Sequence, residues 1–177
     1  KKTRKTKKKP THSQVNRHAK IQKRRFIKSN ILNGIVRCFA IKYPEILLPQ
    51  PFSVMSQIWE KLLISDIEYI SETGACTLIN STIKQLLIDN IIIPVNILNI
   101  KTPIQSTANC WYNTGFMIDY VSDLGRFHST LFREQMILGR IFNTDPKSIR
   151  VDRALFILNL SIEASLMGHP LMDVLNT

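Results

Sequence analysis

Apolar positions recur at helical spacing over most of this chain, and the stretches that alternate or run apolar without interruption are short. Val15, Ile21, Phe26, Ile27, Ile31, Ile35 and Phe39 roughly follow one side of a helix. Arg17, Lys20, Lys23, Arg24 and Lys28 fill its other faces. Ser13 is a candidate cap for this helix and Gly34 a candidate bend. Tyr43-Pro44 and Pro49-Gln50-Pro51 mark a connector, because the residue before a proline is pushed out of the helical region. Phe52, Met55, Ile58, Trp59, Leu62 and Leu63 then describe a second amphipathic helix whose apolar stripe belongs to the core.

Thr73-Gly74 breaks the chain before a short strand predicted over Ala75 to Ile79, and Ser81 to Asp89 reads as a helix capped by Ser81. The β-branched run from Ile91 to Leu98 contains Pro94, which confines it to an edge strand or an extended crossing segment. After Pro103 the spacing predicts three helices, about Trp111 to Leu124, Arg126 to Phe142 and Asp152 to Met167. Asp145-Pro146 separates the last two, and Gly168-His169-Pro170 ends the third. The expected fold is mainly α, or α+β with a minor β component, in a single helical domain preceded by a basic arm.

The charge distribution sets that arm apart. Between Lys1 and Lys28 there are 13 Lys or Arg and no acid, the first acid being Glu45; the remaining 11 basic residues face all 13 acids. The net charge of +11 therefore belongs to residues 1–28, and residues 29–177 are close to neutral. The first ten residues repel one another and offer nothing apolar to bury, so the arm is expected to be disordered at its start and helical after it. Lys1, Lys2, Arg4, Lys5, Lys7, Lys8, Lys9, Arg17, Lys20, Lys23, Arg24, Arg25 and Lys28 are candidate contacts to an acidic partner, either nucleic acid or an acidic protein surface. On nucleic acid they would bind phosphates without reading sequence, and with steep salt dependence. No aromatic precedes Phe26, so base stacking is not indicated. Arg126, Arg133 and Arg140 recur every seven residues, which places them near one helical face as a second contact line or a solvated surface.

Other classes are excluded by what the chain lacks. No apolar run approaches the roughly 18 residues needed to cross a bilayer, and the cationic start has no apolar stretch of the signal-peptide kind. There is no Gly-rich phosphate loop, no paired carboxylates and no Cys/His grouping, so no metal and no cofactor is expected. Cys38, Cys76 and Cys110 are odd in number and widely spaced, which predicts no disulfide framework and points to an intracellular, reducing setting. The absence of an initiator methionine at Lys1 fits a processed product or a portion of a longer polypeptide.

The most specific local signal is Gln105-Ser106-Thr107-Ala108-Asn109-Cys110-Trp111-Tyr112-Asn113. This segment, the cysteine box at 105–113, resembles that of papain-like peptidases, in particular the ubiquitin-specific proteases, in which Asn-Thr-Cys-Tyr-Met-Asn opens the catalytic helix. It is also similar to a segment of virion proteins from large DNA viruses, where Cys-Trp-aromatic-Asn precedes an apolar helix, a Ser-Asp pair and an Arg-rich helix. Cys110 to Asn113, Phe116 to Val121, Ser122-Asp123 and Arg126 to Arg140 correspond. The resemblance implies Cys110 as nucleophile, Gln105 as oxyanion donor and Asn113 as an ordering residue at the helix start. Independently of the family, a cysteine at a helix start is favoured as thiolate.

Two departures qualify it: the Gly before the family's Asn-Thr-Cys is absent, and Asn109 stands directly before the cysteine. The general base has to come from His169 or, with a poorer setting, His128. Taken alone, a free cysteine is among the most buried residue types, so an inert core position for Cys110 is the competing expectation. Two functions follow. One is a cysteine-peptidase-like domain with an incomplete triad, carried in a virus particle. The other is a non-catalytic structural protein of such a particle, a minor capsid protein, whose arm holds nucleic acid or another acidic partner while its body packs against neighbouring proteins.

Overall fold

The computed structural model describes residues 11–44, 57–58, 60–63, 66–71, 73–91, 95–103, 110–140 and 149–169. The chain is mainly α with a two-stranded antiparallel sheet as its minor β component. Helix α1 spans His12–Lys42, 31 residues or about 46 Å. Its cap is Thr11, two residues before the expected Ser13. The Thr11 side chain accepts from the Gln14 N–H, and the Gln14 side chain accepts from the Thr11 N–H, so each satisfies an otherwise orphaned donor. The helix runs unbroken across Lys28-Ser29, where the charge composition changes.

It also continues as one helix through Gly34, the candidate bend. Strand β1 (Glu68–Ile70) packs against α1 there, and a Cβ at position 34 would lie 2.9 Å from the Ile70 carbonyl oxygen. Glycine here permits a close approach of two backbones. Strand β2 (Cys76–Leu78) falls inside the predicted Ala75 to Ile79 and pairs with β1 in the register Glu68 with Leu78, Tyr69 with Thr77 and Ile70 with Cys76. The sequence pattern gave no sign of β1, which is three residues long and depends on this pairing.

Cys38 of α1 and Cys76 of β2 form a disulfide, which corrects the expectation that the cysteines stay unpaired. Wide spacing in sequence was no obstacle: α1 passes beside the hairpin and brings the two Cα atoms to 5.9 Å, within bridging range. Glu68 lies beside the pair, so three potential metal donors converge, but both sulfurs are spent on each other and Glu68 pairs with Lys42 at 2.8 Å.

Residues 57–58 and 60–63 are helical, with Ile58 and Leu62 buried as the pattern predicted; the rest of that expected helix lies outside the described residues. Helix α2 (Ser81–Asp89) has the predicted span but is capped by Asn80, whose Oδ1 accepts from the Ile83 N–H, and not by Ser81. Of the run from Ile91 to Leu98, expected as an edge strand or an extended crossing segment, residues 92–94 lie outside the described residues, and Val95 and Asn96 lead into a single 3-10 turn, Ile97–Asn99.

The expected helix from Trp111 to Leu124 is cut short. Helix α3 (Cys110–Phe116) continues into a π turn, Met117–Val121, and Ser122 then starts helix α4 (Asp123–Leu138) by accepting from the Gly125 N–H. Gly139, left-handed at φ 72°, ends α4. Helix α5 (Ile149–Met167) is buried over most of its circumference in its second half, with Phe156, Ile157, Asn159, Leu160, Ile162, Glu163, Ala164, Ser165 and Leu166 all shielded from solvent. A helix buried on most sides is central to its fold. Leu32, Ile35 and Phe39 of α1, Leu87 of α2, Phe116 of α3 and Met136 and Ile137 of α4 complete the core around it.

The disulfide closes a loop with a sequence separation of 38. Its reduction is expected to lower stability by about 3–4 kcal/mol through the restored freedom of the unfolded chain, seen as a fall in urea midpoint with a non-thiol reductant. An unchanged midpoint would show that the bond does not form in solution.

Candidate functional site

The basic face and the core meet on α1. Residues 13–20 of the helix are all exposed, including Arg17 and Lys20, and Lys23 is exposed one turn further on. Arg24 and Arg25 are half-buried, and at Lys28 the helix enters the body. On a helix Arg17, Lys20, Arg24 and Lys28 follow one another at spacings of three and four, so they form one continuous stripe. Its last member has left the surface. Lys28 is 3% exposed and its ammonium is bound to Glu163, so it is a structural cation and not a surface contact. Lys1, Lys2, Arg4, Lys5, Lys7, Lys8 and Lys9 lie outside the described residues.

Glu163 is itself fully buried and holds a second cation. Oε2 accepts from Lys28 Nζ of α1, and Oε1 accepts from Arg133 of α4. Arg133 Nε donates to Asn159 Oδ1 at 3.1 Å, one helical turn before Glu163 on α5. Burial pulls the Lys28 pKa below the usual lysine value, Arg133 adds to the pull, and Glu163 opposes it. The arginine line expected along α4 therefore does not exist as a surface. Arg133 is 1% exposed, while Arg126 braces the start of its own helix, donating to the Val121 carbonyl and pairing with Asp123. Arg140 is exposed.

Beside this cluster lies an open cleft of about 480 Å³, including the solvent at its mouth. Arg25, Lys28 and Glu163 meet Asn96 and Asn99 of the 3-10 segment and an apolar side containing Val95 and Leu166. The two asparagines were not among the residues the sequence singled out. A usable signal was Glu163 itself, the one acid in the otherwise apolar and small run from Ala154 to Met167.

Cys110 does open a helix, as expected, and it is exposed, so it is not the buried apolar group that a lone cysteine suggests. Trp111 is 75% exposed beside it, whereas Phe116 is core. Among the described residues the Cys110 thiol has no hydrogen-bond partner. Gln105 lies outside the described residues. Asn113 is half-buried in α3.

His169 is buried at the end of α5, with its backbone N–H on the Ala164 carbonyl and its Nε2 2.9 Å from Asn33 Oδ1 of α1. An amide oxygen only accepts, so Nε2 carries the hydrogen. Burial and then the positive charge of Lys101 hold its pKa below the ordinary 6.5. His128 is exposed on α4. No hydrogen bond joins Cys110 to a histidine among the described residues.

The surface of α3, the π turn and α4 is unusually apolar. Trp111, Ile118, Leu124, Phe127 and Leu131 are each at least 60% exposed, and Ile118, Leu124, His128 and Phe132 border an open groove of about 840 Å³, including the solvent at its mouth. Among the described residues no helix is long and apolar enough to cross a membrane. Set against known proteins, the chain matches no family model, no curated protein and no solved structure.

Glu163→Gln keeps the volume but leaves two buried cations without their counter-charge, and is expected to cost about 3–5 kcal/mol in urea unfolding. For His169 the sign is fixed by its lowered pKa. As pH falls below 6.5, the unfolded chain takes up a proton that the folded chain refuses, so stability is full above that value and declines with acidification until the lower folded pKa is reached. His169→Gln, which keeps an N–H donor for Asn33, is expected to flatten that part of the urea midpoint against pH. An identical profile would remove His169 as its source.

Proposed function

We propose that this protein is a non-catalytic helical component of a larger assembly, which holds nucleic acid by its phosphate backbone through the exposed part of α1. The observation that carries the reading is the stripe of Arg17, Lys20 and Arg24, with Lys23 alongside, on a helix that continues into the core. A charged helix anchored in this way presents its cations at fixed spacing, so less freedom is lost on binding than from a free tail. The exposed apolar surface of α3 and α4 supports the second half of the proposal, because patches of this kind mark contacts with other proteins. A virus particle is the setting that the cysteine-box resemblance suggests. The Cys38–Cys76 disulfide is compatible with it, since such bonds persist on virion surfaces, while the intracellular phase would be reducing.

The second reading is a cysteine-peptidase-like domain that has lost or lacks its base, and the observation favouring it is the exposed thiol at the first residue of α3. A ubiquitin-type activity probe decides this one: labelling that disappears in Cys110→Ala would establish an active enzyme and displace the structural reading.

For the first reading, the quadruple change of Arg17, Lys20, Lys23 and Arg24 to Gln keeps helix propensity and removes four cations. In titrations of a labelled DNA duplex, the slope of log affinity against log salt is expected to shallow by about 3–4. Binding to poly-glutamate as tight as to duplex would make the partner an acidic protein. An unchanged slope would clear α1 of the contact altogether.

A further inference from the structure

Three elements converge where α1 crosses the hairpin. Gly34, Cys38 and Lys42 recur every four residues, so they share one face of α1. Gly34 admits the backbone of Ile70, Cys38 is bonded to Cys76, and Lys42 pairs with Glu68, so this face lies along the hairpin. The strand register explains why Glu68 joins the two sulfurs. Cys76 stands opposite Ile70, and Glu68 is two residues from Ile70 on the same strand, which puts Glu68 and Cys76 on one face of the sheet as diagonal neighbours. One donor atom from each of Cys38, Cys76 and Glu68 lies within 4.8 Å of the others. Cys38 is buried, while Cys76 and Glu68 are half-buried, so the cluster can be reached from solvent.

We propose that these three side chains form a redox-controlled zinc site, closed by the Cys38–Cys76 bond in oxidising surroundings and holding one Zn²⁺ once that bond is reduced. Two thiolates and a carboxylate select that metal, because a borderline-soft ion takes sulfur and oxygen together, whereas magnesium and calcium call for oxygen alone. Ligand atoms around tetrahedral zinc stand roughly 3.5–3.8 Å apart. Side-chain rotation brings the freed sulfurs to that spacing with the Cα atoms left 5.9 Å apart. Lys42 engages Oε2 of Glu68, and the carboxylate has a second oxygen to give the ion. The described residues thus supply three of the four ligands that zinc takes. The reductant is a thiol of the glutathione class. Two such thiols pass two electrons and two protons to the Cys38–Cys76 bond and leave joined as their own disulfide; Zn²⁺ then displaces both protons to solvent. In either state α1 stays clamped to the hairpin. The proposal is independent of the nucleic-acid reading, because Arg17, Lys20, Lys23 and Arg24 take no part in it.

The test uses the full chain carrying Cys110→Ser, so that Cys38 and Cys76 are its only cysteines, and Co²⁺ as a coloured stand-in for Zn²⁺. Protein reduced with a phosphine, then freed of it without air, is expected to bind one equivalent of Co²⁺ with a thiolate-to-metal charge-transfer band, which Zn²⁺ bleaches. Oxidised protein is expected to show neither. Zn²⁺ is also expected to raise the urea midpoint of the reduced chain and to leave that of the oxidised chain unchanged. Glu68→Gln keeps both sulfurs and loses a partly exposed ion pair, and is expected to weaken Zn²⁺ by at least about tenfold. Cys76→Ser is expected to remove the charge-transfer band of bound Co²⁺ or cut its affinity by more than the Gln change, and keeps the test open if Glu68→Gln does not fold. A reduced chain without the band would overturn the proposal. So would equal metal uptake by the oxidised chain, or unchanged Zn²⁺ affinity in either folded variant.

Discussion

The carboxylate of Glu163 is the point on which the arrangement of helices depends. It sits on the helix that is buried on most sides, where an acid survives only if its charge is met. Lys28 meets it from α1 and Arg133 from α4, so one side chain fixes how three helices face one another. Apolar packing alone would allow α1 and α4 to slide against α5 at modest cost. An ion pair in a low dielectric permits one register, since any slip leaves a charge without its partner. Asn159 extends the network by accepting from Arg133, which ties the guanidinium to two turns of the same helix.

This explains why α1 carries two kinds of cation. Those toward its start are exposed and exchange counter-ions with solvent. Lys28, on the same stripe, has given up solvent and belongs to the core. Composition treats the two alike, and the division between them is made by where the body begins. The disulfide fixes the other end of α1 by covalent means, tying Cys38 to the hairpin that packs against Gly34. Between the two anchors the helix presents Leu32 and Ile35 to the core.

Much of the fold was legible because most of it is helical, and helices announce themselves by local spacing. The mainly α class, the long first helix, α2 and the central helix all follow from apolar periodicity. What escaped is what depends on partners remote in sequence. Strand β1 exists through its three pairs with β2 and its contact with α1. The Cys38–Cys76 bond depends on the same juxtaposition. Arg133 and Lys28 looked like surface residues because long cations almost always are, and only the placement of Glu163 makes them core. The π turn at Met117–Val121 shifted the boundary between α3 and α4, and no spacing rule marks such a turn. At the cysteine box the helix start at Cys110 was readable, since capping and helix onset are local. Its exposure, and the engagement of His169 with Asn33 of α1, are properties of the folded body and leave no trace in nine residues of sequence.

The unbroken course of α1 has a mechanical consequence. A basic tail joined by a flexible linker would let a bound partner swing freely and would not transmit orientation. Here the Thr11 cap, Lys28 and Cys38 lie on one rod, so tension applied at the exposed tip is borne inside the body, by the Lys28–Glu163 ion pair and the Cys38–Cys76 disulfide. On the proposed reading the helix would act as a stiff bracket, and a partner bound along it would keep a defined orientation relative to the apolar face of α3 and α4.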